Sequence, residues 1–212
     1  AGRHDMRAIE NPPSNYHAML GAPHQLSAEA LEELRPAARA RWAPAGGPVV
    51  TVLVGGPTKA YAYDEPTIAG LIAAIRAFAG EGRTVLVSPS RRTPPELRDW
   101  LLSARSDKIA VWDQAGENPY REFVAAADAF LITKDSVTMP SEAATTGRPV
   151  FVFDLAKTQS DKLDEFEWFH RDLSETLGLT RQFEGRIYDY AYEAPDESRR
   201  IAGIIREKMR LD

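Results

Sequence analysis

The chain has 212 residues, 43% hydrophobic and 27% charged, with a net charge of -5, a composition ordinary for a soluble globular protein able to bury one large core or two small ones. The acidic balance speaks against a nucleic-acid partner, and the lack of cysteine removes disulfides, thiolate metal sites and a cysteine nucleophile. No apolar stretch approaches the ~20 residues of a membrane span, there is no signal-peptide pattern, and scattered histidines without HExxH or Cys/His spacing argue against a metal.

The chain begins at Ala1, as expected of a processed product or a piece of something longer. Residues 1 to 30 show little periodicity and read as irregular, with Arg3, His4 and Asp5 as a polar loop rather than a ligand site. Ser27 then caps a helix running to about Arg41, with Glu29, Glu32 and Glu33 early and Arg35, Arg39 and Arg41 late, as the helix dipole prefers. Pro36 is expected to kink or end it. Ala43 to Pro48, APAGGP, reads as a linker.

Val49 to Val54 is a β-branched strand, and Gly55, Gly56 and Pro57 follow at once. Glycine after a buried strand lets backbone approach a ligand closely. The next helix opens only at Asp64, so the PTKAYAY loop is too long for a dinucleotide fingerprint, and no P-loop is present. Lys59 can reach a phosphate from that loop or simply be solvated. Thr84 to Val87 is the second strand, leaving through Ser88 to Arg92. Thr93 to Glu96 reads as a capping box, and Ser90, Arg91 and Arg92 before it form a diphosphate clamp or a surface pair. Ile109 to Trp112 is the third strand, followed by GENPY, where Asn118 caps a helix from Pro119 and Glu117 sits beside it.

The densest chemistry lies in TKDSVTMPSEAATTGRPV, Thr133 to Val150. The apolar run Ala129 to Ile132 enters it, and a second, Val150 to Phe153, leaves it, which makes a tight βαβ unit. Thr138 caps the short helix, Pro140 sits in its first turn and Gly147 ends it. Ligands of such units sit beyond the carboxyl ends of the strands. Thr133, Asp135, Ser136 and Thr138 then face phosphate, and Glu142 grips a sugar or ribose diol. The plainer alternative has Ser141 as a cap and Glu142 complementing the helix dipole. Beyond Phe153, Leu163, Phe166, Phe169 and Leu173 mark a helix, 180 to 192 has no clear pattern, and Asp196 to Met209 is a last amphipathic helix ending in Arg206, Lys208 and Arg210.

Strands alternating with helices make the fold α/β, a Rossmann-like parallel sheet flanked by helices, with its central strand near Val49 to Val54. The loops GGPTK, SPSRR, GENPY and TKDSVT should share one rim. No GxSxG, Ser-His-Asp order or close carboxylate pair marks a hydrolytic site, so no catalytic residue is assigned.

Taken together, VLVGGPTK, SRRTP, WDQAGENPY and TKDSVTMPSEAATTGRPVFVF resemble the bacterial relatives of the plant mitochondrial-fission factor family, which is itself similar to GT-B glycosyltransferases. The likeness spans roughly residues 48 to 210, and SEAATTGRPV also resembles the donor-nucleotide motif of the peptidoglycan GlcNAc transferase. It implies a domain at 48–212 resembling the C-terminal donor domain of a GT-B glycosyltransferase, preceded at 1–47 by the remnant of an N-terminal domain, a helix and a linker. It further implies a nucleotide-diphosphate sugar as ligand, Glu142 on the ribose hydroxyls, Gly55 and Gly56 near the diphosphate, and no metal or other cofactor. The pattern departs at Pro140, where the family has an aliphatic residue, and most of a first GT-B domain is absent. Three functions fit: a glycosyltransferase-like domain inactive in isolation, an interaction scaffold that kept the fold, and a sugar-nucleotide epimerase. The implied setting is cytoplasmic, either free or peripheral to the inner membrane beside a membrane-borne acceptor, with a homo-oligomer or an N-terminal domain as partner.

Overall fold

The computed structural model describes residues 2–7, 9–13, 15–22 and 24–209; Arg210, expected in the last helix, lies outside them. In chain order the elements are α1 (Arg3–Met6), α2 (Ala28–Trp42), β1 (Val49–Val54), β2 (Tyr61–Ala62), α3 (Glu65–Gly80), β3 (Thr84–Pro89), α4 (Pro95–Ser103) and β4 (Ile109–Val111). They continue with α5 (Tyr120–Ala126), β5 (Ala129–Thr133), α6 (Thr138–Ala144), β6 (Val150–Phe153), β7 (Ala156–Lys157), α7 (Leu163–Arg171), a π-helical turn (Asp172–Thr176), β8 (Arg181–Gln182) and α8 (Glu197–Met209).

β1 is β-branched at every position except Leu53, which favours extended backbone, and all of it is buried. Its period-two alternation feeds both faces of the sheet. Val49 and Leu53 pack with Leu31, Phe123, Phe130 and Ile132 beneath α2 and α5. Val50, Val52 and Val54 pack with Leu71, Ile75, Phe78, Leu97 and Leu101 beneath α3 and α4. Each such side chain contributes about 1.5–3 kcal/mol by leaving water. The six-stranded sheet runs β4-β3-β1-β5-β6-β8, and every pairing in it is parallel. β1 is therefore central, and the loops after β1, β3, β4 and β5 leave on one rim. β2 and β7 pair antiparallel as a separate ribbon. At the opposite end Asp128 accepts from the Val49 amide at 2.8 Å and from Arg39 at 2.9 Å, fastening α2 to the start of β1.

Several expectations need correcting. α2 continues through Pro36, burying Leu31 before it and Ala38 after it; packing on α5 outweighs the lost helix bond. Thr93 does not cap α4. Pro94 holds that position, and the Thr93 hydroxyl instead donates to the Gly55 carbonyl at 2.7 Å. Thr138 does not cap α6 either: it is already helical and Val137 holds the cap position, while the Ser136 hydroxyl just before it accepts from the Met139 amide at 3.1 Å. The patternless stretch 180–192 supplies the sixth strand, β8, beside β6. Arg3, His4 and Asp5 are not a loop but the turn of helix α1, with His4 buried edge-on against Phe169 at 5.0 Å.

Candidate functional site

At the carboxyl end of β5 the chain turns, and Asp135 points back toward β1. Its side chain is fully buried. It accepts from the Gly56 amide at 2.9 Å and the Tyr63 hydroxyl at 2.8 Å, and Arg92 stands 3.7 Å away. Burial lifts the Asp135 carboxyl above its ordinary value despite those donors. Thr133 accepts from the Gly55 amide at 2.8 Å. A Cβ on Gly55 would lie 1.9 Å from the Asp135 carboxylate, and one on Gly56 would lie 2.2 Å from the Arg92 carbonyl. The two glycines thus allow close packing against the chain's own groups.

Glu142, on the second turn of α6, is half-buried and accepts from the Tyr120 hydroxyl. Burial raises its carboxyl above the ordinary value, and the Tyr120 bond opposes this only in part. It lines an open cleft of about 330 Å³ with Tyr120, Arg121, Thr138, His24 and Gln25. A carboxylate has about four lone-pair sites, so one tyrosine leaves acceptor capacity facing the cleft.

The other expected site residues divide. Lys59, Arg91 and Arg92 are exposed on the rim, with Ser90 half-buried beside them. Arg92 is partly committed, donating to the Pro57 carbonyl at 3.0 Å. Ser141 is turned away from the cleft: it donates to the Val137 carbonyl at 2.6 Å and accepts from the Ala22 amide at 3.0 Å, so it docks the N-terminal segment. Glu117 and Asn118 line a separate groove of about 510 Å³ along β4, together with Trp42 and Trp112. Asn118 does not cap α5 as expected: Pro119 holds the cap position and the helix begins at Tyr120, whose amide donates to the Asn118 side chain at 3.0 Å.

Sequence reasoning missed a second polar centre at the same rim. Lys134 is nearly buried and donates to Asp154 at 3.1 Å and Glu167 at 3.0 Å. Glu167 also accepts from Tyr61 at 2.6 Å and Lys157 at 2.9 Å. Burial works against its ionisation, yet hydrogen bonds from Lys157, Tyr61 and Lys134 outweigh that and hold its pKa at about 2. His170 anchors α7 by donating from Nε2 to the Lys134 carbonyl at 2.7 Å. Only Lys134 stands inside a recognisable motif; its partners come from three other segments with no local signature. Among the described residues, one group brings three potential metal-ligand atoms within 4.8 Å of one another: His4, Asp5 and Glu165. Asp5 is exposed and Glu165 partly so, which describes a solvated acidic cluster rather than a built metal site.

A parallel sheet of this order, with cations, carboxylates and hydroxyls gathered at its carboxyl rim, defines the class: a Rossmann-like half of the GT-B kind. The chain belongs to the family described as Mitochondrial fission ELM1, whose model matches residues 1–209. The mitochondrial fission protein ELM1 of Arabidopsis thaliana is 28% identical over 201 residues, which is 93% of this chain and 47% of that protein. An uncharacterised protein of Rickettsia prowazekii (strain Madrid E) is 26% identical over 173 residues, 76% of this chain and 47% of that one. The chain thus spans about half the length of the curated relatives it matches. Among solved structures, UDP-GlcNAc 2-epimerase of Methanocaldococcus jannaschii aligns with a TM-score of 0.54 at 14% identity, over 85% of this chain and 52% of that chain. Its complex with UDP-GlcNAc and UDP aligns with a TM-score of 0.52 at 16% identity, over 85% and 51%. Identities this low establish the fold alone. Among the described residues no helix is long and apolar enough to cross a membrane.

Proposed function

We propose that this chain is the nucleotide-sugar-binding half of a GT-B type protein, taking the diphosphate of a donor sugar at the rim and its ribose at Glu142. The observation that carries this is Glu142 itself: a half-buried carboxylate with one hydrogen-bond partner among the described residues, facing an open cleft of about 330 Å³. Ribose offers two adjacent hydroxyls as donors, and a carboxylate oriented by Tyr120 accepts both. The exposed cations Lys59, Arg91 and Arg92 supply charge for the diphosphate at the same rim. Transfer would then rest on electrostatic stabilisation of the leaving diphosphate, with the acceptor-activating base supplied by a facing N-terminal domain. UDP-GlcNAc bound to the epimerase of the same fold supports a UDP-sugar as the first donor to try.

One observation favours a second reading, a scaffold that keeps the fold without turnover. Asp135 and Arg92 pack directly against Gly55 and Gly56, so the glycine loop is closed by the chain's own side chains where a diphosphate would approach. Calorimetry with UDP-, GDP-, ADP- and CMP-sugars separates the two. The donor reading expects saturable binding of one of them that Glu142→Gln weakens; heat of dilution alone from all of them would leave the scaffold.

A further inference from the structure

β3 and β4 run parallel with Val87 beside Val111, so Ser90 and Gln114, each a few residues further on, leave the sheet side by side. Gln114 has a φ of 65°, and among the described residues it is the one non-glycine in the left-handed region. A Cβ crowds the following carbonyl there, so glycine, asparagine or aspartate usually takes such positions. Asp113 holds the conformation in place. Its carboxylate accepts from the Ala115 amide at 3.0 Å, bridging over Gln114, and meets Arg105 at 3.1 Å. A strained residue that its surroundings keep in place points to a function for its side chain.

That side chain reaches across to the exit of β3. Its amide nitrogen donates to the Ser90 carbonyl at 2.7 Å and to the Pro89 carbonyl at 3.3 Å. Carbonyls only accept, which fixes the orientation of the amide. The Ser90 carbonyl also accepts from the Thr93 amide at 3.1 Å, closing a turn whose two central residues are Arg91 and Arg92. Both lone pairs of that oxygen are then in use. On its other side the turn is tied to β1: the Ser90 amide donates to the Val54 carbonyl at 2.8 Å, and the Thr93 hydroxyl to the Gly55 carbonyl at 2.7 Å. The turn is gripped from both neighbouring strands, and Gln114 is the grip on the β4 side.

The two arginines emerge from it unequal. Arg92 is engaged with the chain, through the Pro57 carbonyl at 3.0 Å and Asp135 at 3.7 Å. Arg91 is exposed, and no hydrogen bond or ion pair of its guanidinium is seen among the described residues. Its N–H donors, in the planar fork that suits phosphate oxygens, remain for a ligand.

We propose that Gln114 is a positioning residue: by bracing the Ser90 carbonyl it sets the turn so that Arg91 is the arm that meets the donor's diphosphate, with Arg92 as its anchor to the glycine loop. This rests on the donor reading above. The test uses the whole chain, with inorganic pyrophosphate as a probe that needs no choice of base. Gln114→Met keeps the length and the strained backbone but donates nothing. Gln114→Gly also donates nothing, while glycine adopts this φ freely. Both should bind pyrophosphate about tenfold more weakly than the unaltered chain, a loss of about 1.4 kcal/mol. Gln114→Gly should nevertheless melt higher than Gln114→Met. Affinity that followed the melting temperature instead would make the residue structural only and overturn the proposal. Arg91→Ala should also cost about tenfold, and adding Gln114→Met to it should cost little more, because the brace acts through that arginine. Amide exchange at Thr93, which shares the Ser90 carbonyl, should quicken in both Gln114 variants. That measurement needs no ligand, and unchanged exchange would overturn the brace whatever binds. Undiminished affinity in both Gln114 variants, or additive losses in the double variant, would overturn the proposal and leave the donor reading standing. No uptake of pyrophosphate by the unaltered chain up to about 10 mM would overturn both.

Discussion

At the scale of single residues, Glu142 and Asp135 show how two carboxylates on one short unit take different parts. Asp135 is sealed by Gly56, Tyr63 and Arg92 and holds loops together; Glu142 keeps capacity toward a cleft. Glu142→Gln should weaken nucleotide binding by about tenfold, since charge-assisted hydrogen bonds are worth roughly 1.5–3 kcal/mol each before desolvation is counted. The unliganded melting temperature should scarcely move. If Glu142 served only the helix dipole, affinity would hold and stability would fall by about 0.3–1 kcal/mol. The glycine loop gives a second test. Gly55→Ala places a Cβ 1.9 Å from the Asp135 carboxylate, so overpacking should cost on the order of 1–3 kcal/mol. In an Asp135→Ala background the same change meets no carboxylate, and most of that cost should vanish. Equal costs in both backgrounds, measured by urea denaturation, would show that Asp135 is not what demands the glycine.

At the scale of elements, the packing of α7 on the sheet should leave a pH signature. Burial holds the His170 pKa at about 4 against an ordinary 6.5. The unfolded chain therefore takes up the proton as pH falls through 6.5, while the folded chain resists until about 4. The stability this group contributes is complete above the upper value and is lost on the way down, at no more than about 1.4 kcal/mol per pH unit. Glu167, held at about 2 against 4.5, adds a loss in the same direction only below its ordinary value. Glu142 and Asp135, with raised values, act in the opposite sense. Urea midpoints near pH 7 and near pH 5 bracket the histidine window, in which His24, also lowered by burial, acts in the same direction as His170, so a substitution at His170 is needed to separate the two. His170→Asn retains an N–H donor for the Lys134 carbonyl but cannot titrate there, so its midpoint should depend less on pH; an unchanged dependence would assign the effect elsewhere. Which elements were legible follows from the same physics. β1, β3, β4, β5 and β6 are short buried runs bounded by glycine, proline or polar turns, and α3 carries Leu71, Ile75 and Phe78 at helical spacing. β8 has only Arg181 and Gln182, which no propensity favours, and exists because the edge of β6 accepts it. The cost of Pro36 is local and visible in the sequence, whereas the partner helix α5 that offsets it lies about 85 residues away along the chain. In the site, Asp135 and Glu142 stood in one motif, whereas Tyr63, Tyr120 and Glu167 are joined to it only by folding.

At the scale of the whole molecule, the start of the chain matters more than its irregular sequence suggested. Arg3 makes a two-pronged ion pair with Asp172 at 2.8 and 3.0 Å. The Leu20 amide donates to Glu197 at 2.8 Å and the Ala22 amide to Ser141 at 3.0 Å. His24, next along, meets Thr145 at 3.2 Å and walls the Glu142 cleft. One segment thus laces α6, the π turn and α8, and sets one side of the candidate donor site. Asp172 is 8% exposed in its side chain and Arg3 37%. Removing a partner from a fully buried pair costs about 3–5 kcal/mol, and the exposure of Arg3 reduces this, so Arg3→Ala should cost about 1–3 kcal/mol. In an Asp172→Asn background, where no charge is left stranded, the cost should fall below about 1 kcal/mol. Because the same segment carries His24 and Gln25 into the cleft, a chain beginning at Ser27 should lose nucleotide affinity as well as stability. Arg3→Ala, which leaves the cleft wall in place, should lose stability alone. Truncation that lowered the melting temperature without touching affinity would remove His24 and Gln25 from the binding surface, and with them the placement of ribose between α6 and the N-terminal segment.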